Sequence, residues 1–255
     1  PVPKGFKTLI TKEREKDSLN FWFPEIEADS LLFALKTKDS TYNVSVKFYK
    51  PQLDSLVIAS KQSRVLDLND TLQFTSSLPI TELNEEFISI RNKDSIQIPF
   101  KLILDKNKDI IKIPFDLEPN DKYSVSILPD SFKDMWGGTN DSINLNLITK
   151  AFDSYGVINL RLNWEISEQD FILELLDVNN NVLRRVYEKN EFNTYEFKFL
   201  NPQNYIARVI LDDNKNKKWD TGNYLKKIQP ERVIYLLDTI ELRANWEMNE
   251  VFILK

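Results

Sequence analysis

The stretch NYIARVILDDNKNKKWDTGNYLKKIQPERVIYL, residues 204–236, decides how this chain is read. It opens on NYIARVILD (204–212), a short run rich in β-branched and aromatic residues. It closes on a second such run, RVIYLLD (232–238). Runs of this length and composition predict strands. Between them lies a segment of Asp, Asn and Lys punctuated by Gly222 and Pro230, a loop by composition.

Working outward, the same punctuation recurs. Upstream in the same unit, NLRLNW (159–164), DFILELLD (170–177), VLRRVYE (182–188) and YEFKFL (195–200) read as strands, and TIELRANWE (239–247) follows. Asp177-Val178-Asn179-Asn180-Asn181 is a hairpin turn, because Asn tolerates positive φ. A middle unit offers RVLDL (64–68), TLQFTSS (71–77), ISIR (88–91), IQIPFKLIL (96–104), DIIKIPFDL (109–117), KYSVSILP (122–129) and INLNLIT (143–149). DSFKDMW (130–136) reads as a short helical turn. The first stretch supplies FKTLIT (6–11), SLNFWF (18–23), SLLFALKT (30–37) and YNVSVKFYK (42–50), fewer strands than the seven or so of a sandwich. The dominant period is two and no sustained helical period competes with it. Strands spaced by about 8–12 residues predict β-sandwiches. The expected class is all-β, with serial β-sandwich modules: a partial N-terminal module at 1–62, a sandwich at 63–150, and a second at 151–255 carrying the Asp/Asn-rich loop.

Composition excludes much of the chemistry. The 255 residues contain neither His nor Cys. No Ser-His-Asp triad, cysteine nucleophile, zinc finger or disulfide scaffold can be built. With 5 Gly, placed as they are, neither a P-loop nor a dinucleotide fingerprint can be written. A formal charge of −5 argues against nucleic acid as the main partner. No apolar run is long enough to span a membrane as a helix. The start, PVPKGFKTLI, has no apolar signal region and no initiator Met, which predicts a processed chain or an excised fragment.

Any metal would have to be held by oxygen, which favours calcium or magnesium over transition metals. In the 212–223 segment, Asp212, Asn214, Asn216 and Asp220 fall at positions 1, 3, 5 and 9 of an EF-hand-like loop, with the Lys218 carbonyl at position 7. Position 6 is Lys217, whose Cβ makes positive φ costly, and position 12 is Asn223 instead of Glu. The same Asp and Asn side chains also suit a metal-free capped turn. Both readings stand on the sequence.

Trp22, Trp164 and Trp246 lie in expected strands and read as core. Trp136 and Trp219 lie in turns and, with Tyr224, form a candidate recognition surface. The carboxylates Glu85-Glu86, Asp212-Asp213 and Asp238/Glu241 read as solvated charge, and Arg184-Arg185 as a solvated face or an edge-strand guard. No catalytic residue is assigned.

Two stretches carry a family resemblance. EPNDKYSVSILPDSFKDMWGGTNDS (118–142) resembles the end of bacterial Ig-like domains, where a Pro-x-x-x-Tyr-x-Val-x-Ile/Leu strand leads to an Asp-x-x-Gly-Asn-like element; Asp134, Gly137 and Gly138 hold that place here, with Trp136 inserted. The 204–236 stretch resembles the C-terminal module of multidomain Ig-like outer-membrane lipoproteins of Bacteroidota. There a transthyretin-like (prealbumin-like) β-sandwich carries an Asp-x-Asn-x-Asn-Gly-x-x-Asp-Thr-Gly-Asn-Tyr loop followed by Gln-Pro-Glu. The resemblance implies the C-terminal part of a non-enzymatic cell-envelope accessory lipoprotein. Its partners would be other outer-membrane or surface proteins, as a structural or docking subunit of a protein assembly or export complex. Its membrane attachment would be a lipid anchor upstream of Pro1. The alternative is a surface glycan-binding module using exposed Trp and calcium.

Overall fold

A computed structural model describes residues 7–13, 18–24, 30–47, 55–62, 64–189 and 191–255. Phe6 and residues 48–50 of the expected strands lie outside them. The described residues form twenty-one strands and two 3₁₀ turns. The chain divides into two compact units. The first holds residues up to Leu66, Asp70–Leu117 and Asp121–Ile148; the second holds Asp67–Asn69, Glu118–Asn120 and Thr149–Lys255.

In the first unit the strands are β1 (Leu9–Lys12), β2 (Leu19–Trp22), β3 (Ser30–Lys36), β4 (Thr41–Lys47), β5 (Ile58–Ser60), β6 (Leu72–Ser76), β7 (Ile80–Leu83), β8 (Ile88–Arg91), β9 (Ile103–Leu104), β10 (Ile110–Ile113), β11 (Lys122–Ile127), β12 (Phe132–Asp134) and β13 (Ile143–Ile148). Two sheets, β5-β6-β10-β9 and β13-β11-β8, share one core. Alternation explains the packing: Tyr123, Val125 and Ile127 of β11 turn inward, and Leu72, Phe74, Ile111 and Ile113 meet that core from the other sheet. β1-β2, β3-β4 and β7-β12 are separate antiparallel pairs. The expected helical turn at 130–136 is instead β12, which pairs with β7; Phe132 is fully buried there. RVLDL makes only an isolated bridge, Val65 to Ile148. Most of 96–104 is irregular, with bridges at Gln97 and Phe100 before the two-residue β9. Glu85 and Glu86 sit in a 3₁₀ turn capped by Asn84.

The second unit contains β14 (Gly156–Trp164), β15 (Phe171–Leu176), β16 (Val182–Val186), β17 (Thr194–Leu200), β18 (Gln203–Leu211), β19 (Val233–Tyr235), β20 (Ile240–Leu242) and β21 (Glu247–Leu254). A three-stranded sheet, β17-β14-β21, faces a five-stranded one, β16-β15-β18-β19 with β20 on β18. Its first and last strands pair in parallel, Val157 opposite Glu247 through Trp164 opposite Leu254. Ile158, Leu160, Leu162 and Phe252 from one sheet pack on Phe171, Leu173, Tyr205, Ala207 and Val209 from the other. The expected strand 239–247 is broken at Arg243–Trp246, where Asn245 takes φ 58°. Trp246 is therefore not core: it is 48% exposed and stacks under Arg243. Trp22 and Trp164 are half-buried against the two cores.

A polar knot in this unit gathers around Asp67. Asp67 accepts hydrogen bonds from Tyr155 Oη (3.0 Å) and Asn201 Nδ2 (2.8 Å) and pairs with Lys150 Nζ (3.0 Å). Burial pushes its carboxyl up, but the bonds from Asn201, Lys150 and Tyr155 outweigh that and hold it below the ordinary carboxylate range. A depressed folded value means stability that is present above the unfolded value of about 4 and lost as pH falls through the folded one. Asp67→Asn is expected to cost about 1–2 kcal/mol at pH 7, with the gap to the parent closing below about pH 4. Urea melts across pH check it; a gap that stays constant at pH 3 would mean the carboxylate charge is not what matters.

Candidate functional site

The loop between β18 and β19 is built around Asp212, 3% exposed at the end of β18. Its two carboxylate oxygens accept the backbone N–H groups of Asn216 (3.1 Å) and Lys217 (2.8 Å). This grip holds Lys215 at φ 61° and Lys217 at φ 63°, left-handed conformations that cost a non-glycine residue roughly 1–2 kcal/mol. The side-chain oxygens of Asn214 and Asn216 accept N–H groups two residues on, at 3.0 and 2.8 Å. The amide nitrogens of the same two residues both donate to Asp220 Oδ2, Asn216 at 2.5 Å.

Glu231, 8% exposed, closes the base of the loop. Its carboxylate accepts from the N–H of Asp213 (3.1 Å) and of Asp220 (2.9 Å), and its carbonyl accepts the Trp219 indole N–H at 3.1 Å. Glu231, the Glu of the Gln-Pro-Glu noted above, lies outside the twelve-residue loop spacing, which gave no sign that it closes the loop. Asn223 caps a different turn: it forms a reciprocal bridge with Ile228 and its side chain accepts the Lys226 N–H at 3.0 Å. Gly222 permits this return, since a Cβ there would meet the Ile228 carbonyl at 2.8 Å and the Pro230 ring at 2.9 Å.

The donor set as placed is a closed polar turn. Asp220 faces two amide nitrogens, and the amide oxygens already hold backbone N–H groups. Among the described residues no group of three or more acidic side chains is placed to hold a metal. A calcium ion would require Asn214 and Asn216 to turn over and give up those bonds. At about 1 mM calcium the melting temperature is expected to stay within about 1 °C of the metal-free value. A rise of several degrees, abolished in Asp212→Asn, would show that the amides do rotate to admit the ion.

The candidate recognition residues sit apart in the chain. Trp136, in the first unit, is 37% exposed; its indole N–H donates to the Phe23 carbonyl and its ring meets Trp22 edge-on at 6.2 Å. In the second unit Trp219 is 48% exposed and Tyr224 95%. Asp212 and Asp213 do not converge: Asp212 serves the turn, while Asp213 accepts from Gln169.

A second arrangement escaped the sequence reading. Glu174, in the centre of β15, has no exposed surface. Register places Arg185 of β16 on one side of it and Arg208 of β18 on the other. Each Nε donates to a different carboxylate oxygen at 2.6 Å. The guanidinium groups reach on to Tyr187 and Tyr235 hydroxyls at 3.4 and 3.1 Å. Arg185 thus lies on an edge strand, as one of its two expected readings has it, and is part of an ion ladder rather than a freely solvated charge.

Fold and loop together define an all-β chain of sandwich units with a structured surface excursion. No protein-family model matches the chain, and no curated protein does. Among solved structures, the N-terminal part of the bacterial S-layer protein SbsC aligns over 63% of this chain and 42% of its own, at 13% identity and a TM-score of 0.36. Native alpha-2-macroglobulin from Escherichia coli, in a piece spanning domains MG0-NIE-MG1, aligns over 72% of both chains at 13% identity, with a TM-score of 0.35. The major pilin subunit of Bacillus cereus aligns over 98% of this chain and 81% of its own at 9% identity, with a TM-score of 0.26. This chain therefore spans less than half of the S-layer chain it matches. With TM-scores this low, these likenesses carry no argument about function.

Proposed function

We propose that this chain is the C-terminal part of a non-enzymatic bacterial cell-envelope lipoprotein and acts as a docking subunit of an outer-membrane protein assembly or export complex. On this reading the second unit is its transthyretin-like module, and a lipid anchor lies upstream. The resemblance carried by residues 204–236 supports the family. The observation that carries the docking role is the β3-β4 hairpin. In its register Leu31, Phe33 and Leu35 stand opposite Val46, Val44 and Tyr42, so one face is entirely apolar. Leu35, Tyr42, Val44 and Val46 are 56, 59, 45 and 41% exposed. Leu31 and Phe33 are half-buried, Phe33 meeting the Phe21 ring edge-on at 5.3 Å, so the open part of the face is formed by Leu35, Tyr42, Val44 and Val46. A two-stranded hairpin is marginal alone, and such an exposed apolar patch marks a surface that takes a protein partner.

The test is purification of the tagged full-length parent from native membranes under mild detergent. Stable envelope partners, lost in Val44→Lys, are the expected result; a parent that comes out alone sinks the proposal. A glycan-binding role would rest on the exposed ring of Trp219, and sugar binding on an array, abolished by Trp219→Ala, would establish it instead.

A further inference from the structure

The loop after Gly222 projects a second kind of surface. Asn223 and Ile228 exchange both backbone hydrogen bonds, at 2.8 and 3.0 Å, and Lys227 N–H returns to the Tyr224 carbonyl at 3.2 Å. Lys227 takes φ 54°, which completes a four-residue hairpin turn. The turn is therefore held by its own backbone, and what it displays is fixed in place. It displays Tyr224 at 95%, Leu225 at 92% and Ile228 at 56% exposure, and Trp219 earlier in the same loop is 48% exposed.

Charge sets this tip apart from the rest of the chain. The outer part of the loop, residues 214–230, holds five lysines and one aspartate, a formal charge of +4 that falls to +1 once Asp212, Asp213 and Glu231 at its base are counted, while the whole chain carries −5. Lys215 pairs with Asp170 and Lys217 lies over the Tyr187 ring. Lys218, Lys226 and Lys227 are exposed and pair with no carboxylate among the described residues. Aromatic residues that settle at headgroup depth, an aliphatic side chain beyond them and unpaired lysines alongside are the combination that holds a peripheral segment to an anionic bilayer.

We infer that the Tyr224–Leu225 tip is a membrane-surface contact that seats on anionic phospholipid. Leu225 and Tyr224 enter the interface while Lys218, Lys226 and Lys227 meet the headgroups. This inference does not rest on the lipoprotein reading: it concerns the chain as given, without any anchor. The contact is weak and reversible by itself, because one small apolar insertion with a few charges falls short of stable anchoring.

Flotation of the full chain with vesicles tests it. Vesicles of about 30% phosphatidylglycerol in phosphatidylcholine are expected to bind at least several-fold more protein than pure phosphatidylcholine, and the difference should shrink as salt rises. Lys226→Gln with Lys227→Gln is expected to weaken binding to the anionic vesicles about tenfold or more. Tyr224→Ser with Leu225→Ser is expected to weaken it about tenfold. All four positions are exposed, and an unchanged melting temperature confirms that each variant is folded. Equal binding to both vesicle types, no binding to either, or binding that both double variants retain would overturn the inference.

Discussion

Phe252→Ala is expected to remove about 3–5 kcal/mol of stability from the second unit. Phe252 lies in β21, is 1% exposed, and stands in parallel register with Leu162 of β14, whose side chain shares the same core. Truncation there removes a whole ring from between two sheets, and the sheets cannot close over the hole without shifting the β14-β21 ladder. Its neighbour Ile253 points the other way and is 42% exposed. Ile253→Ala is therefore expected to cost less than about 1 kcal/mol. Denaturant unfolding of the pair reads the contrast directly. A Phe252→Ala cost near that of Ile253→Ala would mean that β21 does not close this sandwich.

The same alternation explains why the class of fold was legible beforehand. Strands with one wet face announce themselves: β11 reads Tyr-Ser-Val-Ser-Ile, and β14 reads Ile-Asn-Leu-Arg-Leu, each residue type on its expected side. The Asp177–Asn181 turn was equally plain, and Asn180 takes φ 64° there. What failed were judgements that depend on non-local partners. DSFKDMW has helical composition, yet β7 lies beside it and recruits Phe132 into a ladder. TIELRANWE looks continuous, which predicts Trp246 in the core, while the turn at Asn245 turns it out to solvent.

The candidate loop shows both outcomes at neighbouring residues. The clustering of Asp212, Asn214, Asn216 and Asp220 in one turn was legible from spacing alone. Lys217 looked wrong for a position needing positive φ, but two backbone bonds to Asp212 impose that conformation regardless of its Cβ. Glu231, the Glu of the Gln-Pro-Glu that follows the loop, was legible only as part of that element; its place under the loop depends on the return of the chain. Arg185 beside Arg184 read as surface charge because register, which no local pattern supplies, decides that it faces Glu174. The one available signal was a lone Glu inside the apolar run FILELL, on a strand buried from end to end.

Glu174→Gln is the other change expected to act strongly, costing about 2–4 kcal/mol. A carboxylate with no exposed surface is tolerable only when its charge is met, and two guanidinium groups meet it, one per oxygen. The amide that replaces it accepts at one end only, leaving the second arginine facing an N–H₂ group. Breaking a buried pair from one side typically costs 3–5 kcal/mol. Here Arg185 and Arg208 are 41 and 22% exposed and recover part of that by turning to water, which lowers the expected figure. The complementary experiment removes all three charges. Glu174→Leu with Arg185→Leu and Arg208→Leu is expected to stay within about 1 kcal/mol of the parent, because the triad's Coulomb gain largely offsets its desolvation. If the triple variant instead lost as much as Glu174→Gln, the ladder would be a net source of stability. If both changes were harmless, Glu174 would not depend on its two arginines. The ladder's role is then one of placement: it fixes β16 and β18 on either side of β15, and β18 leads directly into the loop that begins at Asp212.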